Sequence, residues 1–437
     1  MRKSLNYYYK KIDPDFKEVL HKGTLAFVAR VLGALSTFIA TIYLARLLGV
    51  NNFGLFWLAL TIITILSIFS RLGMDTLVLR EVAKYENANT SGLARQITDS
   101  VFVIVLPISI LLVSIILLFG DWVSEEIFSK PDISIPLNAL TPFMLFLSLG
   151  FILGESFKGI RHTTMGVLLQ HTAQPIIFLT LIYAASFFID LDLKSSAWIY
   201  STAGLITLVI FYTYWVNVTI QTKAPNMENN SRILIKKGFP LLLISSAGLL
   251  LAWTDIIVLG IFSTAKEVGI YTAVAKTALI TSLILAAFNA IVAPKFSLHF
   301  TKGDIKGLER LAKKSTRLMA FLVFAPTIFL LFLPEWILGW FGLNFIEGAN
   351  ALMILVIGQF ISVSCGSVGH MLVMTKNEKI VQNITIGTAI SNVILSILLV
   401  EPFGMVGVAI ATMVSMIAYN LISLYYVRQR LGFWMLG

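Results

Sequence analysis

Twelve stretches of this 437-residue chain are long and apolar enough to cross a bilayer as helices, a crossing that takes roughly 20 residues for a hydrocarbon core of about 30 Å. They are centred on residues 23–45, 54–72, 98–119, 136–157, 164–189, 196–218, 238–261, 269–293, 318–341, 349–373, 380–400 and 405–427. Long runs, a period near 3.6 and interior glycines fit helices, whereas a membrane barrel would show short alternating strands. The fold class expected is therefore an all-α polytopic membrane protein of twelve transmembrane helices. Composition agrees, with 57% hydrophobic and only 13% charged residues, against about 25% charged in soluble domains. The 31 Phe and 8 Trp exclude a disordered chain, and the single Cys365 excludes a disulfide scaffold. Pro334, Glu335 and Gly339 interrupt the ninth run, so its end is the least defined boundary.

Charge sets the orientation. With the N-terminus inside, the even-numbered loops and both tails hold 27 of the 33 Lys and Arg. The odd-numbered loops hold Arg46, Lys130, Lys194 and Lys266, while Arg30 and Lys276 fall within spans. Such an asymmetry is the positive-inside pattern, and it supports an even number of spans with both termini cytosolic. The outward loops are acidic instead, with Asp121, Glu125, Glu126, Asp190 and Asp192 among their ten carboxylates. The net charge of +10 is thus topological, and nucleic acid is not expected as a partner. The N-terminal segment 1–22 is basic and aromatic and leads into a long apolar run, which reads as a retained span and not a cleaved signal.

The polar segment 219–237 divides the chain into two bundles of six spans, 23–218 and 238–427, followed by a tail at 428–437. A shift of 215 residues places Gly54 on Gly269, Phe56 on Tyr271, Arg80 on Lys295 and Gly92-Leu93-Ala94-Arg95 on Gly307-Leu308-Glu309-Arg310. A shift of six spans preserves direction, so the repeat is parallel, with a pseudo-twofold axis along the membrane normal. Carriers built this way bind substrate between the halves and rock them about it.

No phosphate-binding loop, no zinc spacing and no extramembrane segment large enough for a catalytic face is present, so neither an enzyme nor a metal or cofactor is expected. Chemistry must then reside in the charges inside the membrane, each of which costs at least about 2.5–3.5 kcal/mol at the bilayer centre. Arg30 lies in the inner third of the first span, and Thr37 and Thr41 continue its small polar face. It reads either as an anion-contacting residue or as a structural, snorkelling one. Arg71 ends the second span on the face of Trp57, Thr61 and Thr64, as a vestibule lining or an interfacial anchor. Asp255, on a stripe with Ser245, Gly248 and Ala252, faces Lys276 of the next span; the two read as a structural pair or as a site of ion coupling or substrate contact. Gln170, His171 and Gln174 before Pro175 form a polar patch, as do Gln359, Ser362, Ser364, Ser367 and His370, and interhelical hydrogen bonding accounts for both. Two deep cations against one deep carboxylate favour an anionic, amphiphilic cargo, and the alternative is a cation or drug exporter centred on Asp255.

The stretch Tyr43-Leu-Ala-Arg-Leu-Leu-Gly-Val-Asn-Asn-Phe-Gly-Leu-Phe56, continued by Ser70-Arg-Leu-Gly-Met-Asp-Thr-Leu-Val-Leu-Arg80, resembles the opening of polysaccharide-transport proteins. These are the Wzx-type lipid-linked oligosaccharide flippases of the MOP exporter superfamily. Asp255-Ile-Ile-Val-Leu-Gly260, Glu267-Val-Gly-Ile-Tyr271, Ala293-Pro-Lys295, Asn392 and Phe403-Gly-Met-Val-Gly-Val-Ala-Ile-Ala411 fit as well. The resemblance implies two pseudo-symmetric six-helix bundles of MOP/MATE type facing a cationic cavity. It implies transfer of an undecaprenyl-pyrophosphate-linked glycan, such as an O-antigen repeat unit of lipopolysaccharide, to the outer leaflet of a bacterial or archaeal cytoplasmic membrane. Implied partners are that lipid-linked oligosaccharide, membrane lipid, and the glycan polymerase and chain-length proteins of the same assembly. Related lipid II flippases also carry arginine at the place of Arg30 but have fourteen spans, and dedicated multidrug exporters share the architecture.

Overall fold

The computed structural model describes residues 14–85, 91–219 and 231–435. Most of the segment 1–22 and of the linker 219–237 lies outside the described residues, as do the side chains of Ser245, Gly248 and Ala252. All regular structure among the described residues is helical. In chain order the elements are α1 (Pro14–Arg71), α2 (Met74–Val82), α3 (Ser91–Trp122), α4 (Ser134–Gly159), α5 (Thr163–Val167), α6 (Gln174–Ala185), α7 (Leu193–Thr219), α8 (Ser231–Phe262), α9 (Ala265–Thr301), α10 (Ile305–Phe332), α11 (Pro334–Leu338), α12 (Ala349–Cys365), α13 (Val368–Met374) and α14 (Glu378–Leu431).

Nine helices among the described residues are long and apolar enough to span a membrane. Two of them are kinked at one glycine each. Gly49 in α1 has φ 70° and ψ 169°, and Gly404 in α14 has φ 54° and ψ −135°. Both conformations are strained for a residue with a Cβ, and each glycine falls between two of the apolar runs, 23–45 and 54–72 or 380–400 and 405–427.

The ninth run ends earlier than the expected 318–341. Pro334 has no amide hydrogen to continue the ladder, so α10 stops at Phe332 and the short α11 begins at Pro334 itself. The tenth run, expected as one helix over 349–373, is divided into α12 and α13 by Gly366 at φ 80°.

The two halves meet where the internal repeat meets itself. A Cβ on Gly54 would lie 1.9 Å from the Ala265 carbonyl oxygen and 2.8 Å from the Gly269 nitrogen, and one on Gly269 would lie 2.3 Å from the Val50 carbonyl oxygen. Gly54 and Gly269 are the pair matched by the 215-residue shift, and equivalent residues can touch only at the axis relating them. The largest apolar core surrounds this crossing and contains Phe53, Phe56, Tyr271 and Phe345, drawn from both halves. Separate cores belong to the first half, around Phe157 and Trp215, and to the second, around Phe296 and Met371. Leu118, Phe321 and Leu398 are among many large apolar side chains left exposed on the outside, as a lipid-facing surface requires.

Candidate substrate cavity

The site begins with a defect in a helix. Pro175 cannot donate to the carbonyl of His171, so the backbone over Leu168–Ala173 takes one π-helical turn between α5 and α6. The first arm of α1 packs directly on that turn. A Cβ on Gly33 would lie 2.3 Å from the His171 carbonyl oxygen, and the Thr172 hydroxyl donates to the Ala29 carbonyl at 2.8 Å. The contact sets His171 beside the polar face of α1.

Two cavities adjoin here. An outer one of about 400 Å³ lies between α1 and α9, lined by Arg30, Thr37, Phe38, His171, Lys276 and Leu279 among others. An inner one of about 310 Å³ reaches into the first half, with Trp57, Thr64, Phe143, Gln174 and Tyr200 among its walls. Thr37, His171 and Lys276 line both and form the junction. Neither lining contains an Asp or Glu. Leu35, Leu279 and Ile280, which line the outer cavity, are exposed and give it an apolar flank.

Arg30, Thr37 and Lys276, separated by up to 246 positions in sequence, thus share one cavity. Arg30 is exposed within it and has no ion-pair partner among the described residues. The Lys276 ammonium sits 4.4 Å from the centroid of the Trp57 ring, a cation–π contact that holds it without neutralising it. The Thr37 hydroxyl donates to the Gly33 carbonyl at 2.8 Å and keeps its acceptor capacity. Thr41 is buried one turn on, its hydroxyl donating to the Thr37 carbonyl at 2.6 Å, and lines only a small neighbouring void.

Arg71 is elsewhere. It lines neither cavity; its guanidinium lies 4.3 Å from the Phe151 ring centroid and pairs with Asp75 at 3.3 Å, while its Nε donates to the Ser67 carbonyl. Its charge is therefore already compensated within the protein. Nor do Asp255 and Lys276 pair. The α8–α9 hairpin turns at Ser263, and Asp255 and Tyr271 lie eight residues to either side of it, hence level. Lys276 is five residues farther on, about 7.5 Å along the axis. Asp255 instead accepts from the Tyr271 hydroxyl and, at 2.8 Å, from the Thr412 hydroxyl. Asn392 donates to Thr412 at 3.2 Å, while Asn392 Oδ1 and the Ser396 hydroxyl have no partner among the described residues. Oxygen atoms of α8, α9 and α14 thus converge in the second half.

Glu155 and Lys158 are 2.7 Å apart, and the Lys158 ammonium also donates to Gln170 Oε1 at 2.6 Å. Gln170 Nε2 donates to Glu155 and to the Phe151 carbonyl, which commits that amide entirely.

The comparisons fit this geometry. The family model described as polysaccharide biosynthesis protein matches residues 19–299, more than half of the chain. The chain belongs to that family. It is 23% identical over 405 residues to the probable low-salt glycan biosynthesis flippase Agl15 of Haloferax volcanii, covering 92% of this chain and 81% of that protein. Its fold matches the inward closed structure of the lipid II flippase MurJ with a TM-score of 0.73 at 15% identity, over 93% of this chain and 87% of that one. It also matches an inward-facing multidrug resistance MATE transporter of the MOP superfamily, with a TM-score of 0.72 at 13% identity, over 94% and 98% of the two chains.

In this member of the polysaccharide biosynthesis family, residues of the first half touch residues beyond the linker region at both ends of the molecule. At the acidic end Arg46 donates to the Trp340 carbonyl and Lys130 to the Gly260 carbonyl, both at 2.6 Å. Phe38 packs edge-on against Phe341 and Phe53 against Phe345 there. At the basic end, Gly73 lets α2 approach α8, since a Cβ would meet the Gly238 carbonyl at 2.4 Å. Glu81 lies 3.6 Å from Lys237 across the same joint, and its hydrogen bond from Lys84 holds the carboxyl below the usual carboxylate range.

Trp57 and Tyr200 line the inner cavity and Tyr271 and Thr412 bond Asp255, and sequence reasoning assigned none of the four a role. Trp57 stood on the face given to Arg71 and Tyr271 within a family motif, but neither type signals a cavity by itself. The Gln170–Gln174 patch before Pro175 was the usable signal, because a proline two turns into a polar helical segment predicts a broken ladder.

Proposed function

We propose that this protein is a flippase for a polyprenyl-pyrophosphate-linked oligosaccharide, moving it from the cytosolic to the outer leaflet by alternating access of the bundles 23–218 and 238–427. The observation that carries this reading is the outer cavity: Arg30 and Lys276 in one lining, no carboxylate among its lining residues, and an exposed apolar flank. The diphosphate is held by the two cations, with Thr37 and His171 as hydrogen-bonding neighbours. Charge and sugar hydroxyls then cross in a polar cavity and avoid hydrocarbon, where each unpaired group costs several kcal/mol. The prenyl chain stays in the bilayer alongside Leu35, Leu279 and Ile280. The loop charges support cytosolic termini in a cytoplasmic membrane.

The test is complementation. In a deletion strain of the source organism, loss of surface glycan with accumulation of its lipid-linked precursor, both corrected by the wild-type gene, is the expected result. Unchanged surface glycan in a strain without a second flippase overturns the reading.

The Asp255–Tyr271–Thr412 cluster supports a coupling role, since its carboxylate and orphan oxygens suit a proton or a monovalent cation. Asp255→Asn keeps the two hydrogen bonds sterically possible while removing the charge. In proteoliposomes it is expected to retain glycan-lipid binding and to lose the acceleration of transport by an imposed ion gradient, to within about twofold of the gradient-free rate. Equal acceleration in the variant removes Asp255 from coupling. A cationic-drug exporter is the competing reading, and a cavity lined by cations and no carboxylate disfavours it.

A further inference from the structure

One helix face outside both cavities carries charge in a pattern of its own. In α10, Lys306, Arg310, Lys314 and Arg317 are all exposed, and at 3.6 residues per turn they fall within an arc of about 80°. The same arc continues with Phe321, Phe324, Ile328 and Phe332, which are exposed as well. On the opposite side Leu308, Ala312, Met319 and Val323 are buried in cores shared with α9 and α12. Phe321 and Phe332 are 75% and 79% exposed on a helix long and apolar enough to span a membrane. Aromatic rings left open on such a helix lie against hydrocarbon, because water would forfeit their transfer free energy. Cations on the same face are therefore turned toward the bilayer, and none of the four lines either cavity.

The border between charge and hydrocarbon is sharp. Arg317 and Phe321 are four residues apart, about 6 Å along the axis, so the edge of the apolar core lies within that turn. The headgroup layer beyond the core is about 5–7 Å thick, whereas Lys306 to Arg317 spans about 16 Å. For a helix near the membrane normal, Lys314 and Arg317 lie at headgroup depth. Arg310 stands above them within a Debye length of about 8–10 Å, and Lys306 is higher still. The acids of the segment are committed elsewhere. Glu309 pairs with Lys313 at 2.8 Å. Asp304 accepts from the Gly307 amide as the helix cap and lies 2.8 Å from His299 Nδ1. Lys306, Arg310 and Lys314 have no ion-pair partner among the described residues.

We infer that this face of α10 is a docking surface for anionic phospholipids of the adjoining leaflet, their phosphates accepting from the Lys314 ammonium while the other cations of the stripe draw such lipids in. The charges are complementary, and the row of cations continues directly into the exposed aromatic row that acyl chains would cover. The surface is separate from the cargo cavity, so it stands or falls independently of the flippase reading. Each cation near an anionic headgroup layer strengthens association about fivefold.

The test uses the full-length protein in nanodiscs of phosphatidylcholine and phosphatidylglycerol, with a trace of one or the other lipid carrying a photoactivatable group and the labelled peptides mapped. Wild type is expected to be labelled on α10 at least about fivefold more by the phosphatidylglycerol probe than by the phosphatidylcholine probe. The combined variant Lys306→Gln/Arg310→Gln/Lys314→Gln is expected to bring that ratio to near one. All three side chains are exposed, so folding is expected to persist, and the thermal midpoint checks it. Among the single variants, Lys314→Gln has the largest effect and Lys306→Gln the smallest. Lys376→Gln/Lys379→Gln/Arg430→Gln, which removes three exposed cations elsewhere in the second half, leaves the ratio unchanged. A wild-type ratio near one, a ratio that survives the stripe variant, or an equal fall in the control overturns the surface. Displacement of the label from α10 by added polyprenyl diphosphate assigns the stripe to the cargo and overturns it as well.

Discussion

Arg30→Glu is expected to abolish glycan export while leaving a folded protein in the membrane. The residue is exposed, lines the outer cavity and pairs with no carboxylate among the described residues, so its removal breaks no ion pair there. What it removes is a charge-assisted bond to an anion, worth about 1.5–3 kcal/mol, or about 10- to 150-fold in affinity. The glutamate adds repulsion of the diphosphate to that loss. Arg30→Ala is expected to show the simple loss, and Arg30→Lys a partial recovery, because an ammonium keeps the charge but not the bidentate fork. The measurement is surface glycan in the complemented deletion strain, with membrane protein level and thermal stability recorded for each variant. Wild-type export by both Arg30→Ala and Arg30→Glu would falsify the head-group role. Arg71→Ala offers the contrast: its ion pair with Asp75 and its stack on Phe151 predict lost stability ahead of lost binding.

Gly54→Ala is expected to be the most damaging single-methyl change in the protein. The added Cβ would lie 1.9 Å from the Ala265 carbonyl oxygen, an obstacle made of backbone and not of a movable side chain. Relief requires α1 and α9 to separate at the axis between the halves, which unpacks the largest core around Phe53 and Tyr271. Overpacking a dense core costs typically about 1–3 kcal/mol even when side chains can yield, so the loss here is expected at or above that range. The readout is the thermal midpoint and monodispersity of the purified protein. Gly387→Ala is the matched control. That glycine is in α14 with nothing within 4 Å of its Cβ, so alanine there is expected to be neutral or to stabilise by up to about 1 kcal/mol. Equal behaviour of the two variants would show that the glycine crossing is not tightly packed.

Some of this was legible in the chain because it depends on residues near one another in sequence. The helical class, the division into two repeats and the polar face of Arg30, Thr37 and Thr41 follow from local hydropathy and period, which water and lipid impose on each segment separately. The pairing of Gly54 with Gly269 was visible as a repeat, though not as a contact. The surroundings of Arg71 were not, since a cation at a helix end reads the same whether or not Asp75 pairs with it and the Phe151 ring stacks on it. Asp255 and Lys276 look like partners when helix phase alone is considered. The level of the hairpin turn decides otherwise, and that level was set by Ser263 and Thr264, whose hydroxyl caps α9 by accepting from the Glu267 amide at 3.2 Å.

The amino-acid sequence by itself determined that the chain spans a membrane as helices, that its two halves are related, and that two cations lie where hydrocarbon would otherwise be. Burying apolar side chains and satisfying every backbone amide leave a membrane segment few alternatives, so these properties are local and can be read locally. Only the tertiary structure decided which charges remain free. Arg30 and Lys276 share a cavity because Gly33 and Pro175 shape the contact between α1 and the π-helical turn, while α1 and α9 cross at two glycines. Arg71 and Asp255 are engaged because their neighbours arrive from other helices. Whether a charge is free depends on the few ångströms around it, and those distances are a property of how helices pack, which no single helix encodes.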